Sequence, residues 1–257
     1  IYTGEGASGM NAGTSYDFTI YFINVQANKL ELWFWMESDR LLNPVFREFY
    51  AERSVVHEER RLRTDSTPIG KFQEQFESMF WQSSPYGWPV GGWPSDLEGI
   101  TREEALTFFD TYYAPNNLAA ALVGDFDPDE AIELANRYFG RLSRGDRPPL
   151  EPRTREMPQL AEKRMVASAD TNPQVSVRYH SVRDGHVDEP PLVVLGQLLN
   201  GRTGRLYKAL VEEQEVATSA FGGQSGYKYE GMFELRGTAT QDSTPEDVEL
   251  AIYAELD

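Results

Sequence analysis

The stretch "ITREEALTFFDTYYAPNNLAAALVGDFDPDEAIELANRYFG", Ile100 to Gly140, changes its hydrophobic period twice and decides the class of fold. Thr101 followed by Glu104 makes a capping box, and the apolar spacing after it predicts a helix that stops before Pro115. "LAAALVGDFD" is a short apolar run bounded by turn residues and predicts a buried strand. "DPDEAIELANRYFG" then reads as a helix with Asp127 as N-cap and Gly140 just past its end. Helix, strand and helix in succession put α and β elements in packed layers.

Toward the N-terminus, "MNAGTSYDFTIYFINV" alternates through Tyr16, Phe18, Ile20 and Phe22 and predicts a strand. A helix follows from about Lys29 to Leu42, ended by Asn43-Pro44, and another from about Phe46 to Thr64. "IGKFQEQFESMFW" carries Phe72, Phe76 and Phe80 at helical spacing, and "QSSPYGWPVGGWPSDLEG" reads as a rigid loop. Toward the C-terminus, residues 141–160 hold four prolines, many charges and no apolar period, which is linker composition. The pattern then restarts with strands at "KRMVASA" and "QVSVRYHSV" and helices at "PPLVVLGQLLN" and "GRLYKALVEEQ". A strand at "KYEGMFELRGTAT" and a helix opened by Thr244-Pro245 follow. The order of elements repeats, so 1–140 and 161–257 read as two related half-domains joined by 141–160.

Composition excludes several functions. The 257 residues carry a formal charge of −17, which disfavours the phosphate contacts of a nucleic-acid binder. No apolar run is long enough to span a membrane; the densest, "LELWFWMESDRLL", is broken by Glu31, Glu37, Asp39 and Arg40. With no cysteine, any metal must be held by His, Asp or Glu, and the only histidines are His57, His180 and His186.

Within the second predicted helix, "ERSVVHEERRLR" sets Glu52, Val55, Val56, Glu59 and Leu62 on one stripe. Two carboxylates on an apolar face are costly unless compensated. Pairing with Arg53, Arg60 or Arg63 would compensate them, and so would a metal or a proton-transfer site. His57 falls roughly 160° from that face and reads as solvated. His180 and His186 flank a predicted turn without a ligand at metal spacing, and "GRTGR" fits no phosphate loop.

Five segments in order, "GASGMNAGTSYDFTIYF", "SDRLLNPVF", "ERSVVHEE", "SPYGWPVGGWPSDLEGITREEALTFFDTYYAPNNLAAALVGDFD" and "LLNGRTGRLYKALVEEQEVATSA", resemble the pitrilysin/insulinase family of zinc peptidases. That family, the inverzincins, includes mitochondrial processing peptidases and bacterial paired-subunit proteases. The resemblance implies an α+β fold of two similar half-domains, each an antiparallel sheet covered by helices. It also implies a zinc endopeptidase that hydrolyses extended peptides by metal-activated water. The family motif H-x-x-E-H supplies two histidine ligands and a glutamate base, and a downstream helix supplies a glutamate ligand seven residues after a supporting acid. Here Glu59 matches the metal ligand and Glu52 the supporting acid.

Two departures qualify the resemblance. No H-x-x-E-H occurs in the chain, and relatives carry it farther upstream than the 58 residues preceding Glu59. We therefore expect a chain lacking its first strands and metal helix, incomplete at its C-terminus too, and inactive alone. The Arg and Tyr with which relatives grip substrate are replaced by Val211 and Thr218. That departure suits a zinc-bearing subunit whose homo- or heterodimeric partner supplies the Arg and Tyr. The strand around Ser8, Gly9, Met10, Asn11 and Ala12 matches the family's substrate-pairing strand; an ordinary edge strand with a glycine bulge is the plain alternative. A periplasmic or secreted bacterial location follows from relatives of this pattern. The competing function is a non-catalytic structural or substrate-gripping subunit of the same family.

Overall fold

The computed structural model describes residues 1–146 and 149–256. In chain order the elements are β1 (Ser8–Thr14), β2 (Thr19–Asn24), α1 (Leu30–Leu42), α2 (Phe49–Arg60), α3 (Gly70–Phe80), α4 (Pro94–Gly99), α5 (Arg102–Tyr112) and α6 (Pro128–Tyr138). After irregular stretches at 142–146 and 149–173 come β3 (Gln174–Ser181), α7 (Glu189–Leu199), α8 (Arg205–Tyr207), β4 (Ala217–Gly226), β5 (Gly231–Ala239) and α9 (Pro245–Ala254). Both sheets are antiparallel, β1-β2 and β3-β5-β4, and with the helices they make the α+β class expected from the sequence. The chain divides into two compact units, Ile1–Arg61 with Val90–Pro152, and Leu62–Pro89 with Arg153–Asp257.

In the first unit the core is small. Phe34 of α1 meets Ala131 and Leu134 of α6, with Trp33, Leu122, Phe126 and Phe139 packed around them. The start of α5 is fixed as its residues dictate: the Thr101 hydroxyl accepts the Glu104 N–H, and the Glu104 carboxylate accepts the Thr101 N–H. Asp127 caps α6 by accepting the N–H groups of Asp129 and Glu130. Neither α2 nor α5 buries a single residue.

Three readings need correction here. The alternation from Met10 to Val25 is a hairpin rather than one strand, because the chain turns at 15–18, where the Ser15 N–H donates to the Phe18 carbonyl. "LAAALV" forms no strand: no described strand pairs with it, and Val123 is 99% exposed. A strand requires a ladder partner for its backbone groups, and apolar composition does not provide one.

In the second unit α7, α8 and α9 cover the three-stranded sheet, burying Leu199, Leu206, Leu210, Leu235, Val248 and Ile252. Gly237 of β5 lets α9 approach, since a Cβ there would lie 2.5 Å from Val248 Cγ1. The third correction concerns "KRMVASA", which is irregular, whereas "ATSAFGGQSG" is strand β4 despite its glycines. The ladder to β5 stabilises it where intrinsic propensity is poor.

Candidate functional site

On α2, Glu52 and Glu59 project on one face two turns apart, roughly 10 Å along the axis. Both are exposed, as are Val55 and Val56 on the same stripe. The burial cost that the stripe implied is therefore absent, because nothing described covers this face. Two of the arginines on α2 reach backbone carbonyls of the 92–100 segment. Arg53 donates to the carbonyls of Glu98 and Ile100 at 3.1 and 2.9 Å, and Arg60 to the carbonyl of Gly92 at 3.0 Å. These bonds fix α2 against α4 and its ends, a helix within the stretch whose composition reads as a rigid loop. Among the described residues no group of three or more His, Cys, Asp or Glu side chains could hold a metal ion.

The strand carrying Ser8, Gly9, Met10, Asn11 and Ala12 is β1, exposed along its whole length and paired only with β2. Its register shifts between Ser8 and Asn11, at Gly9 with φ +65°. This is an edge strand with a glycine bulge, and its outer backbone groups have no described ladder partner. Beside it Tyr21, Phe46, Ile100, Phe108, Phe109 and Tyr113 line an open groove of about 950 Å³, with Asp96 and Glu104 as its acidic members. The Tyr21 and Tyr113 hydroxyls are hydrogen-bonded at 2.6 Å, and burial together with that bond pushes the Tyr21 phenol up.

Residues 99–257 match the family model described as the peptidase M16 inactive domain. The chain belongs to the peptidase M16 family. It is 33% identical over 231 residues to the zinc protease PqqE of Helicobacter pylori, covering 87% of this chain and 52% of that protein. An uncharacterized zinc protease of Mycobacterium leprae is 32% identical over 139 residues, 53% of this chain and 31% of the relative. The chain thus spans about half the length, or less, of these curated relatives. Among solved structures, a protease from Helicobacter pylori superposes with a TM-score of 0.91 at 29% identity, covering 99% of this chain and 62% of that one. The periplasmic protease PqqL from Escherichia coli shares the fold, with a TM-score of 0.73 at 20% identity over 96% of this chain and 28% of that one. The family resemblance read from the five sequence segments is thereby borne out. Glu52 and Glu59 lie outside the matched 99–257.

Sequence reading passed over a polar cluster in the second unit. On β3, Ser176, Arg178 and His180 share one face while Val175 and Val177 pack on the core. Arg178 is 7% exposed and joins Glu234 at 2.9 Å and Glu77, with Phe76 and Phe80 beneath its guanidinium. The signal was in "QVSVRYHSV": its alternation sets Ser, Arg and His on one face, which requires polar partners once a helix covers it.

Proposed function

We propose that this chain is part of a zinc-bearing subunit of an M16 endopeptidase, with Glu59 as one metal ligand and Glu52 as its supporting acid. The two histidines of H-x-x-E-H would come from outside these 257 residues. The carrying observation is the pair of acids two turns apart on one exposed face of α2. The residues present do not by themselves fit a zinc ion, since one carboxylate and a supporting acid fall short of three protein ligands. When bound, zinc in such a site supplies a water whose pKa falls to about 7.

The chain's own contribution is to position groups. Glu59 offers its carboxylate, Glu52 orients a neighbouring ligand or holds a proton, and the free edge of β1 receives an extended peptide through backbone hydrogen bonds. Ser8, Gly9, Met10, Asn11 and Ala12 would supply that edge. Val211 and Thr218, in place of Arg and Tyr, support a dimer in which a related partner subunit grips the substrate. No described helix is long and apolar enough to cross a membrane, and we place the protein in the periplasm by analogy with its structural neighbour.

Glu59→Gln in the protein containing both this chain and an H-x-x-E-H segment tests the reading. The expected result is loss of bound zinc and at least a ~100-fold fall in kcat/KM on an unstructured peptide, with Glu52→Gln weakening metal affinity about 10–100-fold. Unchanged zinc content and kcat/KM in Glu59→Gln would refute it. A second reading, a non-catalytic subunit, is favoured by the match to the inactive-domain description; it predicts no zinc in the wild-type protein.

A further inference from the structure

Three buried polar atoms without a hydrogen-bond partner gather in the second unit: both ring nitrogens of His180 and Oε2 of Glu230. The imidazole stacks on Phe80 at 4.1 Å between centroids and 17° between planes, with the Trp81 ring at 5.3 Å. An irregular strap, residues 153–163, is tied to the same place. The Glu156 carboxylate accepts the N–H groups of Gln82, Ser83 and Ser84, each at 2.9 Å, immediately after Trp81. Ser83 donates its hydroxyl to the Arg155 carbonyl at 2.8 Å and accepts the Met157 N–H at 2.9 Å. The Glu156 N–H donates to Glu230 Oε1, and Lys163 donates to the Met79 carbonyl at 3.0 Å.

A neutral imidazole suits this site as a flat ring. An imidazolium suits it less, because it adds a charge and a second N–H where neither nitrogen has a hydrogen-bond partner in place and almost no water reaches them. The charged groups around it are Glu156 and Lys163 from the strap, Glu230 from the β4–β5 turn, and Arg178 from β3 itself. Arg178 is neutralised by Glu77 of α3 and Glu234 of β5, and the phenols of Tyr86 and Tyr227 pack on Trp81. Burial opposes the charge most, Glu156 and Glu230 favour it, Lys163 opposes it, and the net effect holds His180 below the ordinary histidine value.

We propose that His180 makes the strap an acid-released latch, in which proton uptake at the sealed imidazole frees residues 153–163 from the Gln82–Ser84 turn. The strap yields because it joins no strand ladder and is fixed by side-chain-to-backbone bonds, whereas β3 and α3 belong to the packed body of the unit. Opening admits water to both nitrogens. A histidine that protonates less readily folded than unfolded leaves stability intact above the ordinary histidine range and removes it as pH falls below.

Hydrogen exchange of the whole chain at pH 7.5 and 5.0, corrected for intrinsic rates, reads the latch. Peptides covering 82–86 and 153–163 are expected to exchange at least about tenfold faster at pH 5.0, with β5 unchanged. His180→Phe, which keeps the stacking and removes the proton site, is expected to abolish that difference. Absence of the difference in the wild type, or its persistence in His180→Phe, overturns the proposal. The NMR titration of His180 in the wild-type chain provides a check independent of the variant's folding, and an imidazole titrating at or above the ordinary value overturns it too.

Discussion

Glu215 is the non-glycine residue the described structure holds at positive φ, +53°. It follows Gln214, the cap of the π-helical turn Lys208–Glu213 after α8, where the Val216 N–H reaches back to the Leu210 carbonyl at 3.0 Å. A Cβ in that conformation is strained, so Glu215→Gly should stabilise the chain by about 0.5–1 kcal/mol in urea denaturation. Gly237→Ala should do the reverse, costing about 1–3 kcal/mol, because its Cβ meets Val248 of α9. Burial would raise the Glu234 carboxyl, but Arg178, Ser176 and Arg236 outweigh it and hold it below the ordinary value. A depressed carboxylate contributes stability that is present above its unfolded pKa and lost as pH falls through the folded one. Glu234→Gln should therefore cost about 3–5 kcal/mol at neutral pH and flatten the acid limb of the stability curve.

Among the elements, those with local stop and start signals were legible. The capping boxes at Thr101–Glu104 and Thr244–Asp247 open α5 and α9 where the sequence places them. Thr101→Ala should lower thermal stability by about 1 kcal/mol, since it orphans the Glu104 N–H at the start of α5. Strands were less legible, for a physical reason. A helix satisfies its backbone within itself, whereas a strand exists only if a distant segment pairs with it. Thus Leu118–Val123, apolar enough for a buried strand, is irregular and exposed, and the glycine-rich 217–226 is a strand because β5 lies beside it. The Met10–Val25 alternation ran across a turn, since the period of two persisted through Tyr16 and Phe18 while the chain reversed.

At the scale of the molecule, the first unit is unusual in what it leaves uncovered. Tyr21 and Phe108 line the groove, Val55 lies on the α2 stripe, and Ile20 and Phe22 lie on the other face of β2 from Tyr21; each is at least half exposed. So many large apolar side chains left exposed on one unit is the kind of surface that an interface covers. The isolated chain is therefore expected to enhance the fluorescence of a hydrophobic dye several-fold at neutral pH. The enhancement should fall in a protein that joins this chain to an H-x-x-E-H segment, whose elements would cover that surface. The same chain should bind zinc only weakly in titration calorimetry, because the described residues assemble no three-ligand group.

The sequence by itself determined the class, the starts of α5, α6 and α9 and the family, because caps, prolines and the ordered motifs around Asn11, Glu52, Glu59 and Gly92 are local and survive without tertiary context. It also placed Glu52 and Glu59 on one face, which the helical period alone dictates. Only the tertiary structure decided that this face is exposed, that Arg53 and Arg60 reach backbone carbonyls around α4, and that the His180 ring nitrogens are buried against Phe80 and Trp81. Burial and pairing depend on what another part of the chain brings alongside, and no local period records that.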